Sequence, residues 1–76
     1  MTDTLYLKSM LVRRGITLEE ISSQIGLSKT SLSYKINNKR QFTATEIAKL
    51  SNILGLSANE RDEIFFGINV ELESTN

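Results

Sequence analysis

The side chains able to do chemistry are concentrated in one short stretch. Between residues 26 and 45 the chain carries Lys29, Lys35, Lys39 and Arg40 with no acidic residue among them. Interleaved with these cations are Ser28, Thr30, Ser31, Ser33, Tyr34, Asn37 and Asn38. Ammonium and guanidinium groups only donate hydrogen bonds, whereas hydroxyls and amides both donate and accept. A surface built from them can attract and orient a ligand, and the local potential of such a stretch favours anions such as phosphate. Bond-making chemistry has little support. The chain has no His and no Cys, which removes the imidazole and thiol nucleophiles and the usual zinc ligands. There is no Gly-rich phosphate loop and no spaced carboxylate set, so an enzyme is disfavoured and no cofactor or metal is expected. Glu19, Glu20, Glu60, Asp62 and Glu63 have the placement of helix-cap acids and solvated faces.

The net charge hides this stretch. Nine Lys and Arg balance nine Asp and Glu. Residues 1–59 hold eight cations against four anions, and residues 60–76 hold one against five. The zero is therefore a basic segment cancelled by an acidic C-terminal one. With 76 residues, the chain has room for one small domain. No run reaches the ~20 apolar residues that would span a bilayer. No targeting segment is visible at the start. A cytoplasmic location and no membrane partner are the expectation.

Short helices must position the polar stretch. The pattern Ser/Thr-x-x-Glu places a capping hydroxyl before a helix and a carboxylate at its third position, each satisfying a free backbone N–H. It occurs at Thr17–Glu20, Thr43–Glu46 and Ser57–Glu60. Gly15, Gly26, Gly55 and Gly67 fall where helices should end. Five helices are predicted, over about residues 5–14, 18–25, 29–36, 44–54 and 58–66. Their inward stripes are Leu7, Met10 and Leu11; Leu18, Ile21 and Ile25; Leu32 and Ile36; Ile47, Leu50 and Leu54; Ile64 and Phe65. Leu27 and Leu56 should fold back on the preceding helices, and Phe42 should anchor the entry to the fourth. The expected fold class is all-α, a five-helix bundle over residues 1–67. Residues 68–76 are expected to be a short C-terminal extended tail, since Ile68, Val70 and Leu72 alternate with polar residues. That tail can pair with a second copy, pack as an arm or fray.

The second and third helices are joined by Gly26-Leu27-Ser28 alone: Gly for the left-handed turn, Leu27 to fill the angle, Ser28 to cap. Ser22 is small enough for a close crossing. This is the build of a helix-turn-helix. The stretch from Gly15 through Thr17-Leu18-Glu19-Glu20-Ile21 and Gly26-Leu27-Ser28 to Ser33 resembles the Cro/repressor (Xre-type) helix-turn-helix family of phage and bacterial regulators. Asn37-Asn38-Lys39-Arg40, Ile47-Ala48-Lys49-Leu50 and Leu54-Gly55-Leu56-Ser57 continue the likeness, which covers roughly residues 5–66. Three departures from the family pattern stand out. Leu18 stands where the family usually has a Gln that contacts the DNA backbone, Lys35-Ile36 where it often has an apolar residue and then Glu, and Asn38 where it often has Gly.

The resemblance implies double-stranded operator DNA as partner, with the third helix in the major groove. If Leu32 and Ile36 point inward, Lys29, Thr30, Ser33 and Tyr34 point mostly outward and become the candidate base readers. Lys29 can donate to guanine O6 or N7, and the Thr30 methyl can pack on a thymine methyl. Ser31 is placed to bond back to Ser28. Lys35, Asn37, Asn38, Lys39 and Arg40 are candidate phosphate contacts, as are the helix starts at Thr17 and Ser28. Gln41 and Thr43 are weaker candidates. The leading reading is a phage or prophage repressor or Cro-like switch protein acting by operator occupancy. A protein-binding alternative is an antirepressor acting on a second regulator. It rests on Phe65, Phe66, Ile68, Val70 and Leu72, which also form the candidate homodimer surface. An autoregulating antitoxin shares the same fold.

Overall fold

Hydrogen bonds within a single turn define each helix start. In the computed structural model, which describes residues 1–67, α1 spans Thr4–Arg14, α2 Leu18–Ile25, α3 Lys29–Ile36, α4 Ala44–Leu54 and α5 Ala58–Phe66. All three expected capping boxes form: Thr17 with Glu20, Thr43 with Glu46, and Ser57 with Glu60. The first helix begins one residue earlier than its apolar pattern suggests, because the Asp3 carboxylate accepts from the Tyr6 N–H at 3.1 Å and caps it. Asp is among the strongest N-cap residues, so this signal was present in the sequence.

The α2–α3 turn is closed at Gly26, which takes φ +78°. A side chain there would incur the left-handed penalty of about 1–2 kcal/mol. The turn lets the Leu27 N–H return to the Ser22 carbonyl at 3.0 Å, and the half-buried Leu27 side chain packs on the core. Leu56 does the same after α4, its N–H reaching the Ser51 carbonyl at 2.9 Å.

The inward stripes meet in one cluster comprising Leu7, Met10, Leu11, Ile21, Ile25, Leu32, Ile36, Ile47, Leu50, Leu54, Ile64 and Phe65. Each of them belongs to a stripe that the helical period turns inward. Leu18, Leu27, Phe42 and Leu56 pack against the cluster as a partly buried second layer. Phe42 meets Phe65 edge-on, with ring centroids 5.4 Å apart. The α2 helix packs on α3 and α4, while α1 and α5 pack on each other and on α4. The close α2–α3 approach buries Ser22, whose hydroxyl donates to the Glu19 carbonyl at 2.9 Å. At the far end of α1, the Arg14 Nε donates to the Leu54 carbonyl at 2.9 Å. A cation there complements the negative end of the α4 dipole. Among the described residues, no helix is long and apolar enough to cross a membrane.

Candidate nucleic-acid interface

Two side chains hold α3 against the rest of the domain: Leu32 is fully buried and Ile36 nearly so. Their spacing turns the opposite face outward. Lys29 and Thr30 are exposed, Ser31 and Ser33 are half-buried, and Tyr34 is 39% exposed. The Ser28 hydroxyl accepts from the Ser31 N–H at 3.1 Å, so the bond between these serines is made by the Ser31 backbone. That bond leaves the exposed Ser28 hydroxyl hydrogen free to donate outward.

The start of α3 differs electrostatically from the other helix starts. The α2, α4 and α5 helices each place a Glu in the first turn, and α1 has Asp3 as its cap. No acid occupies the cap or first turn of α3. A carboxylate at a helix start neutralises the partial positive charge there. The α3 start keeps that charge, with Lys29 beside it. Thr17 is the opposite case. Its N–H and hydroxyl both donate to Glu20 Oε1, at 3.2 and 3.0 Å, and its hydroxyl accepts from the Glu20 N–H. At Thr17, a candidate phosphate contact, the Glu20 carboxylate thus accepts from both the backbone N–H and the hydroxyl.

Lys35, another candidate phosphate contact, is paired within the chain. Its ammonium contacts both carboxylate oxygens of Glu46, at 2.6 and 2.7 Å, with only 12% and 14% of the two side chains exposed. The cation is directed to α4, not to solvent. Burial by itself would raise the Glu46 pKa, but Lys35 and the Thr43 N–H and hydroxyl outweigh it and hold the carboxyl below its ordinary value. The anion that balances Lys35 lies one residue beyond the acid-free stretch.

Asn37 and Asn38 are also engaged within the chain. The Asn37 Nδ2 donates to the Ser33 carbonyl at 2.9 Å and to the Ser33 hydroxyl at 3.4 Å. The Asn38 side chain reaches back to Thr2, accepting from its N–H at 2.8 Å and donating to its carbonyl at 2.9 Å. Asn38 has φ +64°, the left-handed conformation expected of it as a substitute for Gly. Its amide therefore fixes the N-terminal residues instead of standing free for a phosphate.

Two cations, Lys39 and Arg40, converge on Tyr34. Lys39 Nζ lies 5.4 Å and the Arg40 guanidinium 5.6 Å from the ring centroid. Both are within the ~6 Å over which a cation is attracted to an aromatic face. The Lys39 and Arg40 N–H groups both return to the Tyr34 carbonyl, at 2.8 and 3.4 Å. Tyr34 thus acts as a platform for two cations at the C-terminal end of α3, while Lys29 marks its N-terminal end.

Leu18, where a hydrogen-bonding Gln would be usual, lines an apolar depression with Leu11, Val12 and Ile16. It contributes packing and cannot hydrogen-bond a phosphate. Of the candidate partner surface, Phe65 is 5% exposed and closes the core against Phe42, as its place in the inward stripe implies. Phe66 is 52% exposed, and Ile68, Val70 and Leu72 lie outside the described residues.

Two short helices joined by a three-residue turn, the second held by its apolar face and presenting an acid-free start, define a helix-turn-helix domain. The sequence agrees over nearly the whole described chain. Residues 6–69 match the helix-turn-helix domain family, and the protein belongs to it. No curated protein and no solved structure matches the chain.

Proposed function

We propose that this protein is a sequence-specific DNA-binding transcriptional regulator, a phage or prophage repressor or Cro-like switch protein that acts by occupying an operator. One observation carries the reading: the exposed face of α3 starts without a carboxylate and is flanked by exposed Lys29 at one end and by the Lys39–Arg40 pair at the other. In a major groove, Lys29 and Thr30 would reach base edges, which differ between all four base pairs. Lys39, Arg40 and the Ser28 helix start would hold the backbone and set the register without reading sequence. Ser33, Tyr34 and Asn37 support that arrangement. The basic surface is small and the chain is neutral overall, so affinity depends on the correct sequence more than on bulk electrostatics.

Selection of bound duplexes from random DNA tests this reading. The expected result is one enriched motif, with affinity that falls as salt rises by roughly 0.9 log unit per log unit of salt for each phosphate neutralised. A pool with no enriched motif, or salt-insensitive binding, would overturn it.

Phe66 favours an additional protein contact. It is half exposed beside a shallow depression lined by Ala44, Ile47, Ala48, Ser51 and Arg61. A second copy there would give a homodimer and a palindromic motif with half-sites about one helical turn apart. A second regulatory protein on the same surface would make the chain a modulator. Solution mass with and without Phe66→Ser distinguishes these. A dimer that disappears in the variant supports self-association, and a monomer in both forms removes it.

A further inference from the structure

We infer that Asn38 is a positioning residue, which uses the N-terminal segment to hold Lys39 and Arg40 in place for a DNA backbone. The inference rests on the DNA-binding reading above.

The helix α3 ends at Ile36, and the chain must then reverse to bring two cations back over the Tyr34 ring. Asn38 makes that reversal with φ +64°, and it is the one non-glycine residue with positive φ among those described. Asn takes this conformation more readily than other residues with a side chain, and here its amide is also tied to a distant segment. Its side chain is held at both ends by the Thr2 backbone, at 2.8 and 2.9 Å, and approaches the Thr4 hydroxyl at 3.4 Å. The same Thr4 hydroxyl donates to the Ile36 carbonyl at 2.6 Å, at the last turn of α3. The Asp3 N–H donates to the Ile64 carbonyl at 2.6 Å, which anchors the segment to α5. Thr2 is accordingly buried although it lies near the chain start.

The consequence for the site is specific. The residues immediately after Asn38 are the two whose N–H groups return to the Tyr34 carbonyl and whose side chains lie over its ring. A Gly at position 38 would adopt the turn as readily as Asn but would have no amide to clamp Thr2. With Asn, the path of Lys39 and Arg40 is tied to residues 2–4, none of which needs to touch DNA. The clamp reduces the number of loop conformations that binding must otherwise select.

The test is Asn38→Gly, which leaves the left-handed turn accessible and removes the side chain that clamps Thr2. Nuclear magnetic resonance of the free variant reports whether Lys39 Nζ and the Arg40 guanidinium still lie over the Tyr34 ring, through ring-current shifts of the side-chain protons nearest those groups. Binding to a mixed-sequence duplex reports the salt slope. The expected result is disappearance of the ring-current shifts and a salt slope lower by roughly 0.9 for each phosphate that the variant no longer neutralises. Lys39→Ala should then weaken binding less in the Asn38→Gly background than in the parent, because neighbouring residues that act together are non-additive. Retained ring-current shifts in the variant would overturn the inference, whether or not the protein binds DNA. Weaker binding with an unchanged slope would also overturn it, since a neutral amide that touches phosphate directly releases no counterion. Absence of DNA binding by the parent protein would instead remove the DNA reading, leaving the ring-current shifts to decide the positioning role.

Discussion

Lys35 on α3 and Glu46 on α4 form a two-oxygen ion pair, 2.6 and 2.7 Å, across the connection between the helices. Glu46 Oε1 also accepts from the Thr43 N–H at 2.9 Å, so one carboxylate caps α4 and anchors the end of α3. A partly buried pair with charged hydrogen bonds contributes more than an exposed one, which is worth ~0–1 kcal/mol. Removing the Glu46 charge while keeping its shape, by Glu46→Gln, should cost about 1.5 kcal/mol. At roughly 4–8 °C per kcal/mol for a domain of this size, the melting temperature should drop measurably in a calorimetric scan.

The same pair sets an acid dependence. The folded protein holds the Glu46 pKa below its ordinary value of 4.5. The folded state therefore binds the Glu46 proton less readily than the unfolded state. Its stabilisation is complete above the unfolded pKa and is lost as pH falls through the lower, folded one. The parent should lose its stability advantage over Glu46→Gln as the pH falls from about 5 to below the folded pKa. Equal urea midpoints for parent and variant at neutral pH would show that the pair contributes nothing.

Lys29 and Lys39 should behave differently on substitution. Lys29→Ala should change preference at one base pair by about 1–3 kcal/mol. Lys39→Ala should weaken all sequences alike and lower the salt slope by about 0.9. Binding curves on a matched set of single-base-pair variants separate the two. A uniform loss for both would place Lys29 on the backbone.

The two adjacent phenylalanines give a stability contrast. Phe65→Ala opens a cavity beside Phe42 and should cost about 3–5 kcal/mol. Phe66→Ser, at a half-exposed position, should stay within about 0.5 kcal/mol for the monomer. Native proteins have only ~0.05–0.15 kcal/mol of stability per residue, so the Phe65 variant should lose a large share of its stability and melt well below the parent by circular dichroism.

Gly26→Ala tests the turn. The glycine has open space around its Cα but φ +78°, so the cost is conformational and not steric crowding by neighbours. The expected destabilisation is about 1–2 kcal/mol, read from urea unfolding.

The sequence by itself determined the helices, their ends and their inward faces, because those depend on interactions within about one turn. A Glu three residues after Thr17, Thr43 or Ser57 is placed to bond back to that helix start, and the boxes form. Leu32 and Ile36, one turn apart, must face the same way, and this turned Lys29 and Thr30 outward. Tertiary structure decided what the polar side chains do. Lys35 and Asn37 looked equivalent in a basic run, yet the first turns to Glu46 on the next helix and the second to Ser33 on its own. Asn38 meets Thr2, which is 36 positions away, because the α1 start lies against the α3 end. Capping hydrogen bonds and apolar period are local properties of the chain. Which long side chain finds a partner depends on helix crossing geometry, and no local spacing encodes it.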